Sequence, residues 1–221
     1  MKKVLTDIMG TAVHGGFVAT LMNRFKSQGA SYIARADPEA LAIVDRIKAE
    51  QGLETGEQVI SFVAEQLAQM NLRPNYVVLT GMVNSEGYEN GELQAPFFED
   101  VPHALTRWKK DGRGIFVYSQ GSADEQKTIF RTSDKGDLTT LVDGYFGTDD
   151  VGTKYDPDSY RQISNRMQAA PSDITFLSDV VKELDAANKV GYNVFLVERP
   201  GNKPAGEHPY KVARSFDEVN L

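Results

Sequence analysis

The feature that most restricts the fold of this chain is a regular alternation of strand and helix patterns after residue 103. Three short apolar runs predict strands, namely "GIFVYS" at 114–119, "ITFLSD" at 174–179 and "NVFLVE" at 193–198. Helical patterns flank these runs at 103–111, 123–133, 157–169 and 180–190. Strands that alternate with helices form parallel sheets, which lie beneath helices on both faces.

The N-terminal stretch "VLTDI" is a further strand candidate, and a long helical region separates it from the others. In that region Asp37 is placed to cap one helix and Thr55 to cap another, and each is followed by a stripe of apolar residues. The stretch "NYVVLTGMV" is compatible with a strand or a helix, and residues 84–102 have the composition of a loop-rich connection.

These patterns predict an α/β fold with a Rossmann-like parallel sheet as its core and a helical cap inserted after the first strand. The predicted core domain comprises residues 1–12 and 103–221, and the predicted helical cap domain comprises residues 14–100. A chain of 221 residues is long enough for one large domain that carries such an insert.

Charge and cysteine content exclude several classes of function. The chain has 24 basic and 31 acidic residues, a balance that disfavours nucleic acid and anionic membranes as partners. It has no cysteine, which excludes disulfides, thiolate nucleophiles and cysteine-based zinc sites. Asp7 interrupts the only apolar run that could start a signal peptide, and no run approaches the roughly 18 apolar residues of a membrane span. We therefore expect a cytoplasmic protein without nucleic-acid or membrane partners.

Three polar residues end predicted strands. Asp7 follows the first strand, Ser119 ends "GIFVYS" and Asp179 ends "ITFLSD". Because open parallel sheets bind ligands beyond the carboxyl ends of their strands, these side chains should converge at one edge. The convergence predicts a functional site more strongly than any one of the residues does.

Four ordered motifs, "DIMGT", "YSQGS", "GTK" and "LSDVVKELDAA", resemble those of the haloacid dehalogenase superfamily. Longer stretches resemble the enolase-phosphatase family of methionine salvage, including "GYENGEL", "SQGSADEQKTIF", "GDLTTLVDGYF", "SYRQI", "FLSDVVKELDAANKVGY" and "RPGN". The resemblance covers residues 80–202 and the first strand, and it is loose over residues 15–75.

The resemblance implies a phosphatase and assigns roles to five residues. Asp7 would attack phosphorus and form an aspartyl-phosphate, and Lys154 would balance the phosphate charge and hold the nucleophile in place. Ser119, Gln120 and Gly121 would bind the phosphate, because a hydroxyl and backbone N–H groups at a helix N-terminus suit a phosphate oxygen.

The resemblance also implies Mg²⁺ as the cofactor. Asp7, the backbone carbonyl of Met9 and Asp179 would be its ligands, since carboxylate and carbonyl oxygens suit a hard cation. Glu183 lies one helical turn after Asp179 and resembles the supporting acid of the family, which would act through the ligands rather than on the metal itself.

Met9 departs from the family pattern, because the resembled enolase-phosphatases carry glutamate there, as "DIEGT". That acid protonates the leaving oxygen and then activates water, whereas a thioether does neither. General acid–base help is typically worth about 10²–10⁴-fold in rate. His14, at the entry to the insert, is a candidate for a replacement acid, with a hinge or solvent-exposed role as the alternative.

Several interpretations remain open at this stage. The chain could be an enolase-phosphatase with an acid supplied from elsewhere, a derivative such as an isomerase, a lyase or a slow phosphatase, or a non-catalytic phosphate-binding protein. Dehalogenation fits less well, because it usually proceeds without Mg²⁺ whereas Asp179 and Glu183 are both present. We expect a small phosphorylated metabolite as substrate and a monomeric protein.

Overall fold

A parallel sheet forms the centre of the alternating half of the chain. The computed structural model describes residues 2–35 and 37–221; Met1 and Ala36, which fall in the predicted core segment and the predicted insert, lie outside the described residues. Within these residues six strands form one sheet of order β3-β2-β1-β4-β5-β6. The strands are β1 (Lys3–Thr6), β2 (Gly114–Ser119), β3 (Gly144–Gly147), β4 (Ile174–Ser178), β5 (Asn193–Val197) and β6 (Lys211–Ala213).

The first strand lies in the middle of the sheet. Lys3 of β1 pairs with Gly114 of β2 on one side and with Ile174 of β4 on the other, and both pairings are parallel. All three strands therefore end at the same edge, with Asp7 one residue beyond β1. The predicted fold class, a Rossmann-like parallel sheet with an insert after the first strand, is confirmed.

Helices cover the two faces of this sheet. They are α5 (Asp100–Lys110), α6 (Ala123–Arg131), α7 (Thr148–Val151), α8 (Pro157–Met167) and α9 (Val181–Val190). On one face Leu5 of β1 and Phe176 of β4 pack with Tyr160 of α8 and Leu184 of α9 in a buried apolar cluster. Helices α5 and α6 contact β2 and β3, respectively. Because successive side chains of a strand point to opposite faces of the sheet, these two helices cover the other face.

The helical insert is a second unit with its own apolar core. One compact unit runs to Phe17 and resumes at Gln94, and the other is Val18–Leu93. The insert contains α1 (Phe17–Ala34), α2 (Pro38–Gln51), α3 (Gly56–Ala68) and α4 (Pro74–Glu89). Its buried residues are Phe25, Ala40, Val44, Ile47, Val59, Ile60, Val63, Ala64, Tyr76, Leu79 and Val83. In the described part of the chain, no helix has the length and apolar content needed to cross a membrane.

The capping residues of the insert act as their patterns indicate. The Asp37 side chain accepts a hydrogen bond from the Ala40 N–H (2.9 Å), and Thr55 and Gln58 form a reciprocal capping box. Each bond satisfies backbone N–H groups that have no partner within the first helical turn.

Three features of the fold differ from the sequence-based expectation. The ambiguous stretch "NYVVLTGMV" is helical, and its helix continues to Glu89 through part of the segment that we expected to be a loop. The second boundary between the units lies at Gln94, earlier than the change of pattern near residue 103, because buried Ala95 and Phe97 bond to the Thr132 carbonyl and the Asp134 side chain. Strands β3 and β6 were not predicted; each has only three or four residues, too few for a periodic pattern.

Candidate active site

Asp7 lies directly after β1, where a tight turn begins. Its N–H donates to the Leu177 carbonyl of β4 (2.9 Å), and only 5% of the residue is exposed. The Gly10 N–H donates to the Val13 carbonyl (2.8 Å), and the Val13 N–H donates to the Ile8 carbonyl (2.8 Å). The backbone of the sheet and of this turn therefore holds the Asp7 carboxylate at the carboxyl edge.

Lys154 is buried between two carboxylates. Its Nζ donates to Asp7 Oδ1 and lies 2.7 Å from Glu183 Oε2. Burial alone would lower the pKa of Lys154, but the charges of Asp7 and Glu183 outweigh it and the pKa is raised. The Tyr160 hydroxyl donates to the Lys154 carbonyl (2.9 Å), which fixes the backbone at this position. Lys154 is therefore a charged ammonium held against Asp7.

Glu183 is engaged from two sides. Besides its contact with Lys154, its Oε2 accepts a hydrogen bond from the Ser178 hydroxyl (2.8 Å) at the end of β4. Burial raises the pKa of Glu183, and the Lys154 ammonium opposes that shift. Through these contacts Glu183 fixes the position of Lys154.

Asp179 follows β4 and is tied to the turn after Asp7. The Asp179 N–H donates to the Thr11 hydroxyl oxygen (3.0 Å), and that hydroxyl donates to Asp179 Oδ1 (3.4 Å). Asn202 Nδ2 donates to Asp179 Oδ2 (3.2 Å) and to the Gly10 carbonyl (2.8 Å). Burial, followed by the charge of Asp7, raises the pKa of Asp179 to about 7. The two carboxylates therefore lie close enough to interact.

Gly10 is required where the turn approaches Asp179. Its φ of +81° is in the left-handed region that side chains disfavour. A Cβ at Gly10 would lie 2.3 Å from Asp179 Oδ2, well inside van der Waals contact. The turn can thus pass close to the second carboxylate only because residue 10 has no side chain.

Ser119 ends β2, next to β1, and leads into the N-terminus of α6. Ser119 pairs with Gly147 of β3, the carbonyl of Gln120 accepts a bond from the Thr148 hydroxyl (2.8 Å), and the carbonyl of Gly121 accepts one from the Gln126 amide (2.8 Å). These contacts fix the loop that contains the candidate phosphate-binding residues. Within the described chain, however, Ser119 makes no side-chain hydrogen bond to Asp7 or Lys154.

The donor set at this edge fits a hard divalent cation. Asp7, Asp179 and Glu183 supply three carboxylates against the single ammonium of Lys154, so negative charge is in surplus. Across residues 2–35 and 37–221 no three carboxylate or imidazole groups converge as metal ligands. A cation here would therefore be held by Asp7, Asp179, a backbone carbonyl such as that of Met9, and water. Mg²⁺ commonly binds with one or two carboxylates and several waters.

Met9 and His14 both lie near the start of the insert. Met9 is half-buried and forms an isolated backbone bridge with Val13 in the turn after Asp7. The His14 ring packs against Phe98, with 3.9 Å between ring centroids, and the backbone N–H of His14 donates to the Pro96 carbonyl. Among the described contacts, none joins His14 to Asp7.

Sequence reasoning gave no role to Thr11, Arg199 or Asn202, although all three contact the site. Thr11 belongs to the motif "DIMGT", and the other two belong to "RPGN", so the signal was present only as a resemblance. Arg199 Nε donates to the Thr11 carbonyl (2.9 Å). Nothing in the residue pattern alone indicates that this distant loop contacts the turn after Asp7.

The sheet order, the inserted helices and the four groups at the carboxyl edge define a hydrolase of the haloacid dehalogenase type. The family model for haloacid dehalogenase-like hydrolases matches residues 1–191, and the chain belongs to this family.

Two relatives show which type of haloacid dehalogenase-like hydrolase the chain resembles. The chain is 36% identical to enolase-phosphatase E1 of Alcanivorax borkumensis, a match that covers 99% of this chain and 97% of the relative. It is 32% identical to the enolase-phosphatase E1 of a Sulfurihydrogenibium species, over 100% and 98% of the two chains. The chain is therefore a phosphatase of the enolase-phosphatase type within the superfamily.

Solved structures share the fold of this chain. The UTR4 protein of Saccharomyces cerevisiae superimposes with a TM-score of 0.80 at 30% identity, and the match covers 99% of each chain. CbbY of Rhodobacter sphaeroides, solved in complex with xylulose-(1,5)bisphosphate, has the same fold with a TM-score of 0.65 at 16% identity.

Proposed function

We propose that this chain is an Mg²⁺-dependent phosphoester hydrolase of the enolase-phosphatase type that acts on a small phosphorylated metabolite through an aspartyl-phosphate. The observation that carries the proposal is the burial of Lys154 between Asp7 and Glu183 at the carboxyl edge of the sheet, next to Asp179. The names of the relatives, enolase-phosphatase E1, support the reaction class and a place in methionine salvage.

In this proposal Asp7 attacks phosphorus while the bond from phosphorus to the ester oxygen breaks. Lys154 holds one oxygen of Asp7 and keeps a fixed positive charge beside the phosphoryl group. Ser119, with the backbone of Gln120 and Gly121 at the N-terminus of α6, binds the phosphoryl oxygens. When bound, Mg²⁺ at Asp7, Asp179 and the Met9 carbonyl would neutralise charge that develops on these oxygens.

The leaving oxygen and the attacking water both need a proton-transfer group, and Met9 cannot supply one. His14 packs on Phe98 and makes no contact with Asp7 among the described residues, so it offers no direct replacement. This observation favours a second candidate function, a catalytically altered or inactive member of the family that retains phosphate binding. A slow phosphatase that is selective for esters with good leaving groups lies between the two.

Turnover of activated and unactivated phosphoesters by wild type and Met9→Glu tests the proposal. With Mg²⁺, we expect wild type to release phosphate from an aryl phosphate with a good leaving group and to be slow on alkyl phosphates. Met9→Glu should raise alkyl phosphate turnover by about 10²–10⁴-fold and aryl phosphate turnover by less, because a poor leaving group depends more on general acid help. Phosphate release under steady-state conditions is the measurement.

Two variants serve as controls. Asp7→Asn should abolish release, and Met70→Glu, which adds the same charge at a residue that is 68% exposed, should leave the rates unchanged. If wild type already turns over alkyl phosphates rapidly, another residue supplies the proton. If neither wild type nor Met9→Glu turns over any phosphoester, the non-catalytic interpretation replaces the proposal.

A further inference from the structure

Asn202 lies in a loop that is anchored next to the candidate active site. The loop follows β5 and starts at Arg199, whose side chain lies between Phe98 and Phe216, at 4.3 and 4.9 Å from the two ring centroids. Arg199 also forms two hydrogen bonds of 2.9 Å with Asp100. The Asn202 N–H donates back to the Arg199 carbonyl (3.1 Å), which closes a turn. Asn202 therefore extends from a well-anchored part of the core unit.

The two donor bonds of the Asn202 amide connect the two loops that carry the candidate metal ligands. One bond goes to the carbonyl of Gly10, in the turn that contains Met9, and the other goes to Asp179 Oδ2. The remaining carboxylate oxygen of Asp179 is held by Thr11, which lies in the same turn. The Asn202 amide thus fixes both the orientation of the Asp179 carboxylate and the position of the backbone next to Met9.

The Asn202 amide carries no charge, and this affects how strongly Asp179 can attract a cation. An arginine or lysine in its place would neutralise Asp179 and compete with a cation, whereas an amide holds the carboxylate without cancelling its charge. The ammonium of Lys154 pairs instead with Asp7 and Glu183. A cavity of about 230 Å³ lies beside Asp179, with Asn202 and Lys203 in its wall, so the carboxylate has room to turn away if the amide is lost.

We propose that Asn202 is a positioning residue for the metal-dependent reaction: its amide fixes the Asp179 carboxylate, and through the Gly10 carbonyl the turn that contains Met9, in the arrangement that Mg²⁺ requires. This inference rests on the proposed function. Residues that orient metal ligands typically contribute about 10–100-fold to metal affinity. Mg²⁺ demands near-ideal octahedral geometry and Ca²⁺ tolerates irregular geometry, so loss of the amide should weaken Mg²⁺ more than Ca²⁺.

Calorimetric titration of wild type and Asn202→Leu with Mg²⁺ and with Ca²⁺ tests the inference. Leucine retains the size of asparagine and removes both hydrogen bonds; Asn202→Ser is the second variant if the leucine protein does not fold. We expect Mg²⁺ affinity to fall about 10–100-fold, with a smaller loss of Ca²⁺ affinity. Asn165→Ala, a change at an exposed asparagine on α8, should leave both affinities unchanged.

Asp179→Asn separates this inference from the proposed function. If Asp179→Asn loses Mg²⁺ binding while Asn202→Leu and Asn202→Ser retain wild-type affinity and the wild-type ratio of Mg²⁺ to Ca²⁺ affinity, the role of Asn202 is overturned and the metal site stands. Equal losses for the two ions would reduce Asn202 to a general structural residue. A wild type that binds no Mg²⁺ overturns the proposed metal dependence and this inference together.

Discussion

Lys154 is a single buried cation that balances the charge of two carboxylates at the candidate active site. It is 2% exposed, and it serves as the counter-charge for both Asp7 and Glu183. The Tyr118 ring lies 5.7 Å from its Nζ, so part of its surroundings is aromatic rather than aqueous. An ion pair so far from water contributes little net stability, but loss of one partner leaves the other charges uncompensated.

Lys154→Met should therefore destabilise the protein by about 3–5 kcal/mol, since two buried carboxylates lose their shared cation. Adding Glu183→Gln should recover part of the loss, because an amide needs no counter-charge. Guanidinium-induced unfolding at pH 7, followed by circular dichroism, measures both effects. Lys182→Met, at the exposed preceding neighbour of Glu183, is the control. A loss in Lys154→Met no larger than in this control would contradict the prediction.

At the scale of elements, a partly buried ion pair links the start of α5 to the loop after β5. Asp100 accepts two hydrogen bonds from Arg199 and one from the Phe216 N–H (2.6 Å). Burial opposes ionisation of Asp100, but the hydrogen bonds from Arg199 and from the Phe216 N–H, together with the Arg199 charge, outweigh it and lower the pKa below the ordinary value of 3.8. The pair connects the helix that packs on β2 to the loop that carries Asn202.

Because the pKa of folded Asp100 is depressed, its contribution to stability is fully present above about pH 3.8 and is lost as the pH falls through the lower folded value. Asp100→Asn should lower the free energy of unfolding by about 1.5–3 kcal/mol at pH 7, and the difference from wild type should shrink below pH 3.8. Urea unfolding at a series of pH values checks this. Asp217→Asn, which removes an exposed partner of Arg107, should cost about 0.2–1 kcal/mol at most. A gap between Asp100→Asn and wild type that stays constant down to pH 2 would be the contrary result.

At the scale of the whole molecule, a bound cation should stabilise the fold, since a ligand that binds only the folded state shifts the unfolding equilibrium. At 100 times its dissociation constant, Mg²⁺ should add about 2.7 kcal/mol. For a chain of this length that corresponds to a rise in Tm of roughly 5–10 °C. Differential scanning calorimetry with and without Mg²⁺ measures the shift.

Two comparisons isolate the site-specific part of this stabilisation. NaCl at matched ionic strength controls for screening of the net charge of −7. Asp179→Asn should abolish most of the Mg²⁺-dependent shift, because it removes one of the two proposed carboxylate ligands. A shift of equal size in Asp179→Asn would place the stabilising cation elsewhere.

The sequence predicts the strands and helices well where the signal lies within one short segment. The apolar runs at β2, β4 and β5 identify the sheet, and the caps at Asp37 and Thr55 identify two helices, because both signals are local. It predicts poorly where a contact joins distant segments. Asn202 and Gly10 are 192 residues apart, and the amide reaches that carbonyl only once β1 and β5 have joined the same sheet.

The central place of β1 also has a consequence for synthesis on the ribosome. Lys3 pairs with Gly114 and Ile174, so β1 has no partner strand until more than a hundred further residues have been made. At about 5–20 residues per second, that delay is roughly 5–20 s. The apolar core of Val18–Leu93 comes from one continuous segment and can assemble within this interval. Until then the apolar residues of β1 are flanked by charged residues, namely Lys2, Lys3 and Asp7. Such charges disfavour edge-to-edge aggregation of the unpaired strand with a neighbouring nascent chain.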